Sequence, residues 1–248
     1  MTVTYRDLTI DWLGYATVRI EHDDTVVYLD PGRYGVLTGE WTPDGRDVGH
    51  PPAREYDAQD GDLVCITHDH HYDSDGIRRV ADEDATVVAY DAVYAPGIGR
   101  EVERLQDLPY DVMRVDEHTD ELLGDVIVRT VPAYNRPDGP NVDASGEPIH
   151  PEGFGVGYHL TFGDTTVFWP GDSDVLEGHE QLDVDVFLPS ISRNYTMDRY
   201  SAADLAEELD PDLTLPIHYN TFEALEAESD AFAVDLAKRG LPIALDES

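Results

Sequence analysis

Residues 67–73 read Thr-His-Asp-His-His-Tyr-Asp and set His68, His70, His71 and Asp73 directly after the apolar run Leu63-Val64-Cys65-Ile66. Three imidazoles and a carboxylate within six residues offer the nitrogen and oxygen donors that suit zinc, manganese or iron. The alternative is a solvated polar turn, but the ten His of this 248-residue chain would rarely group so tightly by chance. Further donors stand after other apolar runs. Asn135 follows Val131-Pro132-Ala133-Tyr134, Asp172 follows 165–169 through Pro170-Gly171, and His218 follows Leu213 to Ile217. Each alone reads as a cap or a surface residue, yet together they describe how a sheet edge gathers ligands from distant sequence. His150, in Pro148-Ile149-His150-Pro151, is the nearest spare imidazole, and Asn135 would be a poorer ligand for zinc. Asp73 is the expected group to orient or deprotonate an attacking water unless it is itself a ligand. His22, His118 and His179 read as solvated, His159 as a hydrogen-bonded sheet residue, and Tyr195 as either a pocket wall or a cap.

These donors require strands to place them. Short β-branched runs predict strands at 8–13, 17–21 and 25–29, with Asp23-Asp24 turning the second into the third. Asp30-Pro31-Gly32 ends the third run and leaves a carboxylate at its tip, where it would support a ligating His ring from behind. Residues 39–60 read as a surface excursion. Strands follow at 63–66, 85–89, 112–115, 125–131, 156–162, 165–169 and 184–188. Helices are expected from residue 73 or 74 to 81 with an acid as N-cap, over 92–106 with a break at Pro96-Gly97, over 201–209 and over 222–239. Residues 135–153 form a long loop without periodicity, and such loops inside compact domains tend to be functional.

The composition is acidic: 53 Asp and Glu against 16 Lys and Arg, a formal charge of -37, with Lys238 the only lysine. Such a chain repels itself in dilute buffer, whereas at ~1 M salt the screening length falls to about 3 Å. It reads as a protein of a salt-loaded cytoplasm. Acids spread between apolar runs, at 41% hydrophobic content, argue against a disordered chain. The charge disfavours nucleic acid and anionic membranes as partners and leaves a small-molecule substrate. No run approaches the ~18 apolar residues of a membrane span, and the lone Cys65 excludes an internal disulfide.

The segments Gly14-Tyr15-Ala16-Thr17, Asp30-Pro31, the His loop 68–74, Gly171-Asp172 and Pro216-Ile217-His218 resemble the metallo-β-lactamase superfamily over nearly the whole chain. Val131-Pro132-Ala133-Tyr134-Asn135 and Gly171-Asp172-Ser173-Asp174 are most similar to its L-ascorbate 6-phosphate lactonase-like branch of hydrolases. The resemblance implies an α+β fold, a four-layer αββα sandwich forming one domain over 1–248. It implies one or two divalent metals, zinc first and manganese or iron after it, with Asp172 bridging and His218 completing the second site. The family loop reads His-x-His-x-Asp-His; here one inserted residue aligns Asp73 with the family Asp and Ser74 with its last His, whereas a gapless alignment puts Tyr72 and Asp73 there. The ligand set expected is therefore His68, His70, His71, Asp73, Asp172 and His218, with Asn135 and His150 behind them.

Three functions fit these residues. The first is a hydrolase of an ester, lactone or phosphoester; the second is a phosphodiesterase of the same fold, with two cations clamping an in-line displacement. The third is a binding protein whose metal site has lost hydrolysis. A nucleophilic serine enzyme is disfavoured by the absence of a Gly-x-Ser-x-Gly elbow.

Overall fold

The computed structural model describes residues 2–33, 35, 56–99 and 101–246. Two mixed sheets carry the described fold. The first comprises β1 (Thr2–Tyr5), β2 (Leu8–Gly14), β3 (Thr17–His22), β4 (Thr25–Leu29), β5 (Gly61–Ile66), β6 (Ala81–Tyr90) and β7 (Asp111–Val115), in that spatial order. β1 to β4 pair antiparallel and β4 to β7 parallel. The second sheet runs from edge to edge as β13 (Leu213–Thr214), β12 (Val186–Phe187), β11 (Thr165–Trp169), β10 (Gly155–Phe162), β9 (Val126–Ala133) and β8 (Asp120–Leu123). Among the described residues, helices α1 (Ser74–Val80), α2 (Arg199–Leu209) and α3 (Ser229–Arg239) accompany the sheets in an α+β sandwich, with α2 and α3 packed on each other.

Side-chain pattern explains which strands lie where. β2 buries Leu8, Ile10 and Trp12 in alternation, as a half-covered antiparallel strand must. The run 63–66 of β5 is buried on both faces, which is the environment of a central parallel strand and the reason its sequence is continuously apolar. Trp12, Tyr28, Tyr158, Phe168, Trp169 and Phe187 fill one core drawn from both sheets. Two polar atoms lock the sheets together. Tyr158 Oη on β10 reaches the carbonyls of Ile66 and Val88, each at 3.1 Å, and Trp169 Nε1 at the end of β11 donates to Asp30 beyond β4 at 2.8 Å.

Most expected strands are present within a few residues of the predicted bounds. The helix expected over 92–106 is replaced by two 3-10 turns, Ala95–Ile98 and Leu105–Asp107, because Pro96 has no N–H to donate and Gly99 turns left-handed at φ 78°. The last helix starts at Ser229 rather than 222, after a 3-10 turn over Glu223–Leu225. β1 and β8, four residues each, were not expected. The excursion predicted over 39–60 lies outside the described residues as far as 55.

The few cations are shared among many acids. Arg6 reaches Asp185 and Asp212, Arg19 reaches Glu21 and Asp60, and Arg239 reaches Asp204 and Glu207. Solvent-accessible pairs add little stability, and these few cations leave most acids unpaired by an Arg or Lys, so repulsion among the remaining acids dominates the surface. The melting temperature should therefore rise by on the order of 10 °C between dilute buffer and about 2 M KCl, a few kcal/mol for a chain of this length. Circular dichroism melts over a salt series test this; a flat midpoint would remove the argument from charge.

Candidate metal centre

The cluster forms where four strands end. β5 runs into His68 and the 3-10 turn Asp69–His71, Asp30 follows β4, Asp172 follows β11, and His218 lies four residues past β13. His150 arrives from the loop between β9 and β10. Around Asp172 the geometry is close to symmetric. His68 Nε2, His150 Nε2 and His71 Nε2 lie 3.6, 3.7 and 3.8 Å from its Oδ2, and His218 Nε2 lies 3.8 Å from its Oδ1. His70 Nδ1 stands 3.1 Å from His150 Nε2, and His71 Nε2 stands 3.1 Å from His218 Nε2.

Those spacings are long for hydrogen bonds to the carboxylate and right for donors that share an ion, since ligands ~2.1 Å from one tetrahedral centre sit roughly 3.4 Å apart. His68, His70 and His150 form one such group, and His68, His71 and Asp172 form another. His68 Nε2 and Asp172 Oδ1 are buried with no hydrogen-bond partner, a costly arrangement in a protein interior unless a ligand satisfies both. The donor set and its orphaned atoms fit a divalent cation.

The far side of each ring determines what the near side offers. His150 Nδ1 faces two acceptors, Asn135 Oδ1 at 3.1 Å and the Tyr195 carbonyl at 3.2 Å, so the proton sits on Nδ1 and Nε2 presents a lone pair. His71 Nδ1 faces Asp30 Oδ2 at 3.0 Å with the same result. Thr67 Oγ1 donates to Asp30 Oδ2 and is left to accept from His68 Nδ1 at 2.9 Å, which turns the lone pair of His68 Nε2 inward. Carboxylates and carbonyls behind metal-ligating imidazoles work in this way.

The electrostatics agree. Burial drives His68 and His218 well below the usual imidazole range, and it brings His150 down to about 3, so these rings are neutral and carry lone pairs. Burial pulls His71 down too, but Asp172 and Asp30 outweigh it and raise it. Burial pushes Asp172 up to about 6, against the opposing pull of His71. A buried carboxylate and a ring that both favour an added proton mark a place that wants positive charge. Backbone strain gathers here as well: Tyr15, Asp30 and His218 take φ of 51°, 45° and 56°, and Gly171, at 67°, sits where a side chain would meet the Val156 carbonyl.

Of the residues singled out from sequence, His68, His70, His71, His150, Asp172 and His218 converge. Asp73 does not join either group; its Oδ1 caps α1 by accepting from the Asp75 and Gly76 N–H at 3.0 and 3.2 Å. An acid just before a helix serves as a cap or a ligand, and the contacts of Oδ1 are those of a cap. Asn135 also sits one step back, accepting from both the backbone N–H and the ring of His150. His179 was expected in solvent and is instead buried, with Nε2 on the Pro132 carbonyl. His118 is exposed, and His159 bonds the Asp183 carbonyl as a sheet residue should. Thr67 and Trp169, the two side chains that orient Asp30, went unnoticed in the sequence; the one signal for Thr67 is its place immediately before the ligand loop. Above the cluster lies a cleft of about 450 Å³ whose walls include Tyr15, Tyr195 and Phe222. The arrangement can hold one or two cations beneath a pocket of small-molecule size.

The model of the beta-lactamase superfamily domain matches residues 9–218. The chain is 29% identical over 243 residues to a metal-dependent hydrolase of Methanopyrus kandleri, covering 95% of this chain and 94% of that one. It is 30% identical over 233 residues to a metal-dependent hydrolase of Methanosphaerula palustris, covering 91% and 89%. A solved metallo hydrolase from Ignicoccus hospitalis superposes with a TM-score of 0.67 at 19% identity, over 97% of this chain and 95% of the other.

Proposed function

The chain belongs to the β-lactamase superfamily of metal-dependent hydrolases, and on that footing we propose that it hydrolyses a small ester, lactone or phosphoester with one or two divalent cations. One observation carries the proposal: the Nε2 atoms of four imidazoles surround the buried Asp172, whose Oδ1 and the facing His68 Nε2 have no hydrogen-bond partner. His68, His70 and His150 would hold one cation, His71 and His218 a second, and Asp172 would serve both. Mixed imidazole and carboxylate donors favour zinc, with manganese or iron as alternatives. When bound, such a cation polarises a carbonyl or phosphoryl oxygen and lowers the pKa of a water from ~15.7 towards about 7. The protein's own residues supply the rest. Asp30, Asn135 and the Tyr195 carbonyl hold the ring protons on Nδ1, and the aromatic and aliphatic wall of the cleft limits water around the reacting group.

The continuous core supports a single domain over 1–248. The acidic surface and buried Cys65 support a salt-rich, reducing interior as the setting, and no described helix is long and apolar enough to cross a membrane. The test is metal analysis of protein purified in high salt, followed by rates on lactone, carboxylic ester and phosphodiester panels with and without a chelator. One or two ions per chain and a chelator-sensitive rate on lactones or esters are expected. A preference for diesters would move the reading to a phosphodiesterase. Inertness of metal-replete protein across all panels would leave a binding protein.

A further inference from the structure

We propose that Asp174 is a positioning residue of the metal centre: it clamps the loop over residues 135–153 so that His150 reaches the cation it shares with His68 and His70. The proposal rests on the metal reading of this cluster and not on which bond the protein breaks. The loop has no apolar anchor of its own. Its buried residues are Asn135, Asn141 and His150, and the rest are half-buried or exposed. A ring carried by such a segment is placed by polar contacts, because no fully buried apolar side chain of the segment holds it.

Those contacts converge on the buried Asp174. Its Oδ2 accepts from the Arg136 N–H at 2.8 Å, and its Oδ1 accepts from Asn141 Nδ2 at 2.6 Å and, more weakly, from Asn135 Nδ2 at 3.4 Å. Both asparagines in turn hold the ligand. Asn135 Oδ1 accepts from the backbone N–H and the ring Nδ1 of His150 at 3.0 and 3.1 Å, while the Asn135 N–H donates to the His150 carbonyl at 2.7 Å. The Asn141 carbonyl accepts from the N–H of Ile149, one residue earlier, at 3.1 Å. The same two side-chain amides donate to the carbonyls of Tyr195 and Thr196, at 2.9 Å each. The loop also approaches the carboxylate closely: a Cβ on Gly139 would lie 2.7 Å from Asp174 Oδ2.

A carboxylate suits this place and an amide does not. The three groups that Asp174 accepts from are all N–H donors, spread over both of its oxygens, and an ionised carboxylate is acceptor-only. Asparagine would turn one oxygen into a donor that faces either the Arg136 N–H or the amides of Asn135 and Asn141. One side of the clamp opens in each case. The Asp172 segment stays tied, because the Asp174 N–H and Ser173 Oγ both donate to the Tyr134 carbonyl. His71 is backed by Asp30, and the His218 N–H donates to the Tyr15 carbonyl at 3.0 Å, so neither of these contacts runs through the loop. Opening the clamp therefore weakens the cation at His150 and spares the one between His71 and His218.

The experiment follows the imidazole ring nitrogens of the full, isotope-labelled chain by NMR in high salt while zinc is raised in a chelator buffer, on wild type, Asp174→Asn and the control Asp143→Ala. Asp143 holds an exposed turn of the same loop, accepting from the Ser145 and Glu147 N–H, so the control loosens the loop away from the clamp. In wild type and control, His150 should respond together with His68. In Asp174→Asn the His150 ring should need about tenfold more free zinc, the lower end of the ~10–100-fold effect of a partner behind a ligand, while His71 and His218 respond as in wild type. A clamp that served the fold alone would lower the denaturation midpoint and leave the zinc response of His150 where it was. If Asp174→Asn does not fold, Gly139→Ala decides by the same readout, since its Cβ displaces the carboxylate without removing it. An unchanged His150 response overturns the proposal, and so does an equal loss at all of the rings. Rings that ignore zinc even in wild type sink the metal reading and this proposal together, whereas the other two failures leave the metal reading standing.

Discussion

Replacing Asp172 with Asn should remove at least one metal ion per chain and slow hydrolysis by more than the ~100-fold that loss of a supporting partner behind a ligand typically costs. The carboxylate lies within 3.6 to 3.8 Å of four imidazole Nε2 atoms, so no other group in the cluster can take its place between them. An amide is neutral and brings N–H donors to a spot lined with lone pairs. It satisfies the rings as a hydrogen-bond donor and defeats them as ligands. Metal content by elemental analysis and rate by steady-state kinetics are the readouts. Full occupancy and full rate in the Asn variant would exclude Asp172 as a ligand.

The same substitution has an opposite effect on the metal-free fold, and that effect depends on pH. Burial holds the Asp172 carboxyl up to about 6, against ~3.9 in an unfolded chain. Between those values the native state binds a proton that the unfolded state has lost. Stability of the metal-free protein therefore falls as pH rises through this window and levels off above it. Asp172→Asn removes the buried charge, so without metal it should be more stable than wild type at pH 7 by on the order of a few kcal/mol, with the gap closing towards pH 4. Denaturant melts in chelator at several pH values measure it. Asp73→Ala is the control: losing the α1 cap costs about 1 kcal/mol and leaves the metal content unchanged.

Pattern and length made the strands that end at the site legible, because a run as short as Leu63-Val64-Cys65-Ile66, rich in β-branched residues and bounded by polar ones, suits a buried strand better than a helix. The short edge strands β1 and β8 were invisible for the converse reason. Their residues are exposed or half-buried, so pairing rather than pattern makes them strands. At the site, residue type revealed which groups could bind a metal but not which way they point. His70 and His71 are neighbours in sequence, yet His70 faces His150 and His71 faces His218, because the 3-10 turn after His68 separates successive rings. The role of His150 depends on Asn135, fifteen residues earlier, through two hydrogen bonds that no spacing rule encodes. Asp73 was ambiguous because a cap and a ligand want the same carboxylate at the same place in sequence, and its Oδ1 serves as the cap.

Asp30→Ala should leave little folded protein, and Asp30→Asn should fold with a metal affinity lowered by roughly 10–100-fold. The Asp30 carboxylate is fully buried and accepts four hydrogen bonds: Thr67 N on Oδ1 at 2.8 Å, and Thr67 Oγ1, Trp169 Nε1 and His71 Nδ1 on Oδ2 at 2.8, 2.8 and 3.0 Å. Alanine strands the three N–H donors in the core, at roughly 1–3 kcal/mol each. Their sum rivals the whole stability of a typical domain, about 5–15 kcal/mol. Asparagine suits the left-handed φ of 45° and keeps one acceptor oxygen, which can still serve His71 and Trp169. Its amide nitrogen then meets the Thr67 N–H, and a neutral oxygen replaces the charge behind the His71 ring, which becomes a weaker ligand. Two readouts separate a strut from a partner of the metal site: the denaturation midpoint and the metal dissociation constant, both taken in high salt. If the Asn variant loses stability but binds metal as tightly as wild type, Asp30 only joins the sheets. A loss of affinity beyond the loss of stability would mean that one buried carboxylate both fastens β4 to β11 and orients the ring that faces His218.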